Sequence, residues 1–334
     1  MKAKLDPAVI TPPAVVAGCA YRHGYHMMPP GGWMNDPNGF IFFDGRYHLF
    51  YQYNPYAPQW GLMYWGHSVS DDLVRWRHLP AALSPDQPYD CNGCFSGTAA
   101  VREGMLYLFY TGNAMDGRQT QCVAVSRDGV RFRKYEGNPV ISRPPDTGKP
   151  NHFRDPGVFR RDGRYYMVVG NSSRQHRQGR AILYGSDDLL RWAYVGTIAA
   201  DGESVGYMWE CPSLFSLGGS DVLMLSPQGV NADPACQPGY NSGYFVGRLD
   251  VRTGAYAHGS FRLLDHGFDF YAPQTTLDAS GRRLMVAWMN IWDTPMPTAR
   301  CQWAGSMTLP RVLSLENGAV RSRPVQEIER YRKP

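Results

Sequence analysis

The sequence predicts an all-β protein built as a five-bladed propeller around a central axis. Three observations carry this. First, 36 Gly and 26 Pro in 334 residues, with 13% aromatics, favour short strands and tight turns over long helices. Second, five segments share a short signature. Aligned on their Pro (Thr98 in the second), they fall at 37, 98, 156, 212 and 273, at intervals of 61, 58, 56 and 61. Third, the strand-like runs after each signature repeat too, and no sustained helical period interrupts them.

The signatures are Met34-Asn35-Asp36-Pro37, Phe95-Ser96-Gly97-Thr98, Phe153-Arg154-Asp155-Pro156, Trp209-Glu210-Cys211-Pro212 and Phe270-Tyr271-Ala272-Pro273. Each leads into an apolar stretch, a polar or Gly turn and an aromatic strand. Phe40–Phe43, Asp44-Gly45-Arg46 and Tyr47–Tyr51 read as a hairpin, as do Val158–Phe159, Arg161-Asp162-Gly163 and Arg164–Val169, because Asp-Gly suits the tight turn. The next strand ends in a further echo: Ser70-Asp71-Asp72-Leu73 before Trp76, Ser126-Arg127-Asp128-Gly129 before Phe132, and Ser186-Asp187-Asp188-Leu189 before Trp192. A unit of about 60 residues with three or four strands has the size of a propeller blade. A β-sandwich of unrelated hairpins would not explain the regular spacing.

Charge and cysteine content narrow the partners. The formal charge is +5, but the 34 basic residues are scattered. The densest group, Arg174, Arg177 and Arg180, is no extended stripe, so nucleic acid is not expected. No run of about 18 apolar residues suggests a membrane span. Seven widely spread cysteines favour a reducing compartment. The Cys91-x-x-Cys94 pair lacks the second pair of a zinc site, so both read as loop or core thiols. His23 and His26 have a metal-ligand spacing but no partner cluster, and no metal is expected. Val16-Ala17-Gly18-Cys19 resembles a lipoprotein cleavage box, but Asp6, Pro7, Pro12 and Pro13 break the apolar stretch that a signal peptide needs. The expected location is cytoplasmic.

In a propeller the first strand of each blade lines the axis. If each signature opens that strand, Asp36, Asp155 and Glu210 share one funnel. Three converging carboxylates repel one another, an arrangement to expect where function requires it. A pair of carboxylates is the requirement for glycoside hydrolysis. Glu210, between Trp209 and Cys211-Pro212, has an apolar setting that suits a proton donor. Amide donors around Asp36 would keep it ionised, and Arg154 would hold Asp155 as a carboxylate. Trp60, Phe95, Trp209, Tyr271 and Trp288 are candidate sugar platforms, and Gln52 a polar contact at a strand end. Trp65, Trp76 and Trp192 read as packing between blades, and His67 as a structural hydrogen-bonding residue.

These segments resemble glycoside hydrolase family thirty-two, the invertases and fructanases. Trp33-Met34-Asn35-Asp36-Pro37-Asn38-Gly39 is similar to the family's signature segment. Phe95-Ser96-Gly97, Phe153-Arg154-Asp155-Pro156, Trp209-Glu210-Cys211-Pro212 and Asp269-Phe270-Tyr271-Ala272-Pro273-Gln274 follow in family order. One departure is Thr98, where relatives often have Ser. The resemblance implies a retaining mechanism with Asp36 as nucleophile, Glu210 as acid then base, and Asp155 as transition-state stabiliser. It maps Asn35, Gln52, Trp60, Phe95, Ser96 and Arg154, and less securely Tyr271 and Trp288, to the fructose pocket. It implies no cofactor.

Within the family, the segments around Phe95, Trp209 and Ser226-Pro227-Gln228-Gly229 resemble bacterial sucrose or sucrose-6-phosphate hydrolases. Hydrolysis of sucrose or its 6-phosphate is therefore the expected activity, and a small carbohydrate the expected partner. A fructan hydrolase, a fructosyltransferase and a non-catalytic sugar-binding propeller are the alternatives. The expected organisation is a tail over 1–24, the propeller over 25–326, and over 327–334 the start of a linker to the family's C-terminal β-sandwich, which is expected to be missing from this chain. An exposed flank left by that sandwich would favour a homo-oligomer.

Overall fold

The computed structural model describes residues 14–199, 205–231 and 239–331. It shows five antiparallel sheets, one for each repeat. Blade 1 comprises Gly32–Phe43, Arg46–Asn54, Tyr64–Ser70 and Arg77–Leu83; blade 2, Cys94–Arg102, Met105–Asn113, Gln119–Ser126 and Arg133–Lys134. Blade 3 comprises Gly148–Arg161, Arg164–Ser173, Gly179–Ser186 and Ala193–Ala199. Blade 4 is built on Met208–Leu217, Ser220–Val230, Gly243–Leu249 and Tyr256–His258, and blade 5 on Tyr271–Leu277, Arg283–Trp288, Arg311–Glu316 and Ala319–Pro324. The first strands of successive blades touch, and that of blade 5 returns to that of blade 1. This closed ring is the propeller that the spacing predicts.

The ring is held by apolar layers between blades. Strand side chains alternate between faces, and here each face meets a neighbouring blade. In blade 2, Leu106, Leu108 and Tyr110 pack with Phe50 and Trp65 of blade 1. Tyr107 and Phe109, one residue out of phase, pack with Tyr165 and Met167 of blade 3. Similar layers join blades 3 and 4 around Leu183 and Phe245, blades 4 and 5 around Val222 and Met285, and blades 5 and 1 around Leu284 and Leu49. Trp65, Trp76 and Trp192 all belong to such layers, as the packing reading expects.

The predicted hairpins form. Asp44 and Gly45 have φ of 48° and 75°, and Asp162 and Gly163 have 50° and 81°. Two successive positive φ values suit the hairpin twist. The Ser-Asp echoes are turn caps. Asp72, Asp128 and Asp188 each accept two backbone N–H bonds through Oδ1, from residues two and three positions on.

Ring closure also pairs two of the seven cysteines, which the expected reducing compartment did not call for. Trp303–Ala304, from the long connection inside blade 5, pairs in parallel with Gly32 and Trp33 of blade 1. This brings Cys301 against the segment entering blade 1, where Cys19 and Cys301 form a disulfide across 282 residues. Val16, Cys19, Met28 and Trp303 pack around it. Such a separation leaves no trace in local cysteine spacing. Cys91, Cys94, Cys122 and Cys211 are free thiols.

Candidate active site

Every first strand carries a register irregularity at its signature: between Met34 and Pro37, Phe95 and Gly97, Arg154 and Gly157, Glu210 and Ser213, and Tyr271 and Gln274. A bulge re-aims side chains that a regular strand would turn away. Asp155, Cys211 and Ala272, each just before the signature Pro, have positive φ of 66°, 49° and 51°. Non-glycine residues pay a steric cost there, and strained backbone of this kind gathers at functional sites.

The bulged strands open into a cavity of about 310 Å³. It is lined by all three predicted acids and by Asn35, Gln52, Trp60, Phe95, Ser96 and Arg154. Trp60 is half exposed and stands edge-on to Phe95, with ring centroids 6.2 Å apart. Gln52 is fixed by its Nε2 donating to the Cys94 carbonyl at 2.9 Å.

Asp36 is held by two blades. Asn35 Nδ2 donates to its Oδ1 at 2.9 Å, and Ser96 Oγ donates to its Oδ2 at 2.6 Å. Asn35 is itself oriented by Trp33 Nε1, which donates to its Oδ1 at 2.7 Å. Burial raises the Asp36 pKa above the ordinary carboxylate value, while Ser96 and Asn35 pull it back down.

Asp155 accepts the Cys211 backbone N–H at 3.0 Å. The Cys211 thiol bridges the two aspartates, 3.6 Å from Asp36 Oδ2 and 3.7 Å from Asp155 Oδ2. Burial, then the neighbouring carboxylates, push that thiol's pKa well up, so it stays protonated and can donate.

Arg154 departs from the sequence reading. It lies 3.9 Å from Asp155, but bonds Glu210 Oε1 through Nη2 at 2.7 Å and Nε at 3.0 Å. Tyr271 OH donates to Glu210 Oε2 at 2.6 Å. Glu210 is therefore paired on both oxygens, not set in an apolar pocket. Trp209, adjacent in sequence, points the other way, into the layer between blades 3 and 4. Asp155 is correspondingly less stabilised as an anion. Burial raises its pKa to about 7, against the lowering effect of Arg154. The guanidinium also keeps its proton firmly: burial opposes the charge, but Glu210 and Asp155 outweigh it.

Besides Trp209, two predicted platforms do not face the cavity. Trp288 is fully buried behind the wall, against Trp33 and Trp292, and Tyr271 reaches the site through its hydroxyl. Trp292 lines the cavity instead, together with Gln119, Gln228 and Tyr240. Gln119, Tyr240 and Trp292 stand outside the five signatures. The one available signal was the second tryptophan four residues after Trp288, at Ile291-Trp292. His67 is buried and bonds His48 at 3.1 Å, away from the cavity.

The family model "Glycosyl hydrolases family 32 N-terminal domain" matches residues 26–324. The chain belongs to glycoside hydrolase family 32. Among its relatives, a sucrose-6-phosphate hydrolase of Bacillus subtilis is 46% identical over 94% of this chain and 67% of the relative. One of Escherichia coli is 44% identical over 93% and 66%. The family 32 β-fructofuranosidase of Bombyx mori, solved as a variant with sucrose, superposes with a TM-score of 0.86 at 42% identity, over 94% of this chain and 67% of that one. Sucrose-6-phosphate hydrolase from Lactobacillus gasseri gives 0.88 at 33% identity, over 95% and 66%. The chain thus spans about two thirds of the length of these family 32 proteins.

Proposed function

We propose that the chain is a retaining β-fructofuranosidase that hydrolyses sucrose and sucrose 6-phosphate. One observation carries this: Asp36, Asp155 and Glu210 line a single cavity, each held by hydrogen bonds. Asp36, aimed by Asn35 and Ser96, attacks the anomeric carbon of the fructosyl unit. Glu210 gives its proton to the glycosidic oxygen, which leaves with the bonding electron pair. Asp155 binds fructosyl hydroxyls and stabilises the oxocarbenium-like charge. Glu210 then takes a proton from water, which releases fructose from Asp36 with retention. Arg154 and Tyr271 orient Glu210.

The names of the relatives support this substrate class, since they include sucrose-6-phosphate hydrolases and a raffinose invertase. A phosphorylated disaccharide is an intracellular substrate, so the same reading assigns the enzyme to the cytoplasm. There the Cys19–Cys301 bridge would meet a reducing medium.

The test is Glu210→Gln. Loss of the acid should cut sucrose turnover by roughly 10³-fold. A β-fructosyl fluoride, whose leaving group needs no proton, should recover most of it. No recovery would remove the acid role. Sucrose, sucrose 6-phosphate, raffinose and inulin assayed side by side, with fructose and glucose measured separately, test the activity itself; hydrolysis of none would sink the proposal.

A further inference from the structure

Blade 3 carries a second polar cluster at the edge of the same cavity. Lys149 and His152 lie at the start of its first strand, and His176 lies in the turn between Arg164–Ser173 and Gly179–Ser186. The His152 and His176 rings are 4.5 Å apart, and His176 lies 4.2 Å from the Tyr207 ring. Tyr207 OH donates at 3.1 Å to Oε1 of Gln228, which lines the cavity. On its other side, His152 Nδ1 sits 3.4 Å from Nη1 of Arg154, the residue bonded to Glu210. The cluster therefore adjoins Arg154, the partner of Glu210, on blades 3 and 4, whereas Asn35 and Ser96, which aim Asp36, come from blades 1 and 2. An acid catalyst contacts the glycosidic oxygen, so the leaving hexose lies on this side.

The cluster is built to receive an anion. The charged groups acting on His152 are Arg154, His176 and Lys149; those acting on His176 are Lys149 and Arg154. Arg154 and Lys149 are cations. Burial first, then these cations, lower the pKa of both imidazoles, that of His152 to about 3. Both rings are therefore neutral near pH 7. Arg154 can only donate, so His152 Nδ1 accepts and its Nε2 carries the hydrogen as a donor. The backbone is latched in place: buried Asn171 donates through Nδ2 to the carbonyls of Lys149, at 3.2 Å, and His152, at 2.5 Å. Arg180 Nε donates to Asn171 Oδ1 at 3.2 Å, and Arg174 N donates to the Thr147 carbonyl at 3.0 Å. These bonds tie the turn to the strand start.

We infer that Lys149, His152 and His176 form a phosphate subsite that receives the 6-phosphate of the leaving hexose. The inference rests on the β-fructofuranosidase reading. A phosphate dianion is satisfied by a lysine point charge and N–H donors together, and this cluster supplies both beside the acid.

The test measures kcat/KM for sucrose 6-phosphate and for sucrose in the same preparations of wild type, Lys149→Ala, His176→Ala and Lys149→Arg. A ratio within one preparation does not depend on the fraction folded. Wild type should prefer the phosphorylated substrate. Each alanine variant should lower the ratio about tenfold, as expected for one charge-assisted bond, chiefly through KM. Lys149→Arg should keep most of the preference. Competitive inhibition by glucose 6-phosphate should weaken in parallel, and inhibition by glucose should not. An unchanged ratio in both alanine variants overturns the subsite, whether both substrates fall together or neither does. Wild type that cleaves sucrose with no preference for the phosphate overturns the subsite and leaves the fructosidase reading standing. Wild type that cleaves neither ends both.

Discussion

Aspartates recur in two regions of this propeller, and the fold treats them in opposite ways. Asp72, Asp128 and Asp188 occupy turns at the outer edge of blades 1, 2 and 3. Each accepts backbone N–H groups through Oδ1. Burial opposes ionisation at all three and is the largest single influence at Asp72 and Asp188, whereas at Asp128 the backbone bonds come first; in each case the hydrogen bonds together win and the pKa is lowered. Asp36 and Asp155 sit at the bulges of the first strands. Burial leads there, and the pKa is raised. Repetition of a carboxylate along a chain thus has two meanings. At the rim it answers the backbone's need for an acceptor; at the axis it gathers carboxyl groups whose ionisation burial disfavours around one cavity.

The largest expected effect breaks the comparison by removing one acid from each region. Asp36→Ala should lower kcat/KM on sucrose by roughly 10⁴-fold or more, as loss of a nucleophile does. Asp188→Ala should leave kcat/KM within about twofold while removing a turn cap worth about 1 kcal/mol. Steady-state kinetics and urea melts on the two variants decide it. Equal kinetic damage would mean that the two regions are not separate in function.

The next effect concerns stability and pH. The Asp155 pKa is raised in the fold, so its favourable contribution is present below the unfolded carboxylate value, near 4, and is lost as pH rises towards about 7. Asp155→Asn should remove that loss, so the variant gains on wild type between pH 4 and 7. Asp188 has the opposite sign: its contribution is present above the unfolded value and fades as pH falls below it. Melting temperatures of Asp155→Asn, Asp188→Ala and wild type across pH 2 to 8 should diverge in these two senses, for Asp155→Asn above pH 4 and for Asp188→Ala below it. A flat difference for Asp155→Asn would show that its carboxyl is not perturbed.

The smallest effect sharpens the axis itself. Ser96 lowers the Asp36 pKa against burial. Ser96→Ala should therefore move the acidic limb of the kcat/KM profile to higher pH, by a few tenths of a unit for one lost hydrogen bond. A limb that stays in place would separate it from Asp36.

Much of this was legible in advance. The five signatures, the Asp-Gly hairpins and the Ser-Asp caps are local, so spacing and turn chemistry expose them. Asp36, Asp155, Glu210, Asn35, Phe95, Ser96 and Arg154 line the cavity because each lies within a signature, while Gln52 and Trp60 reach it from the second strand of blade 1 and the connection after it. What misled was adjacency. Arg154 is next to Asp155 in sequence yet binds Glu210 of the next blade, since neighbouring strand residues point to opposite faces. Trp209 likewise says nothing about the setting of Glu210, and Trp288 packs behind the wall that Trp292 faces.

The sequence by itself determined the number of blades, the turns that end their strands, and which acids lie at the axis, because each follows from a short-range pattern repeated about every 60 residues. Only the tertiary structure decided which cation meets which acid, that Cys19 reaches Cys301, and that His152 meets both His176 and Arg154. Those contacts join different blades or distant loops, and closing the ring sets them.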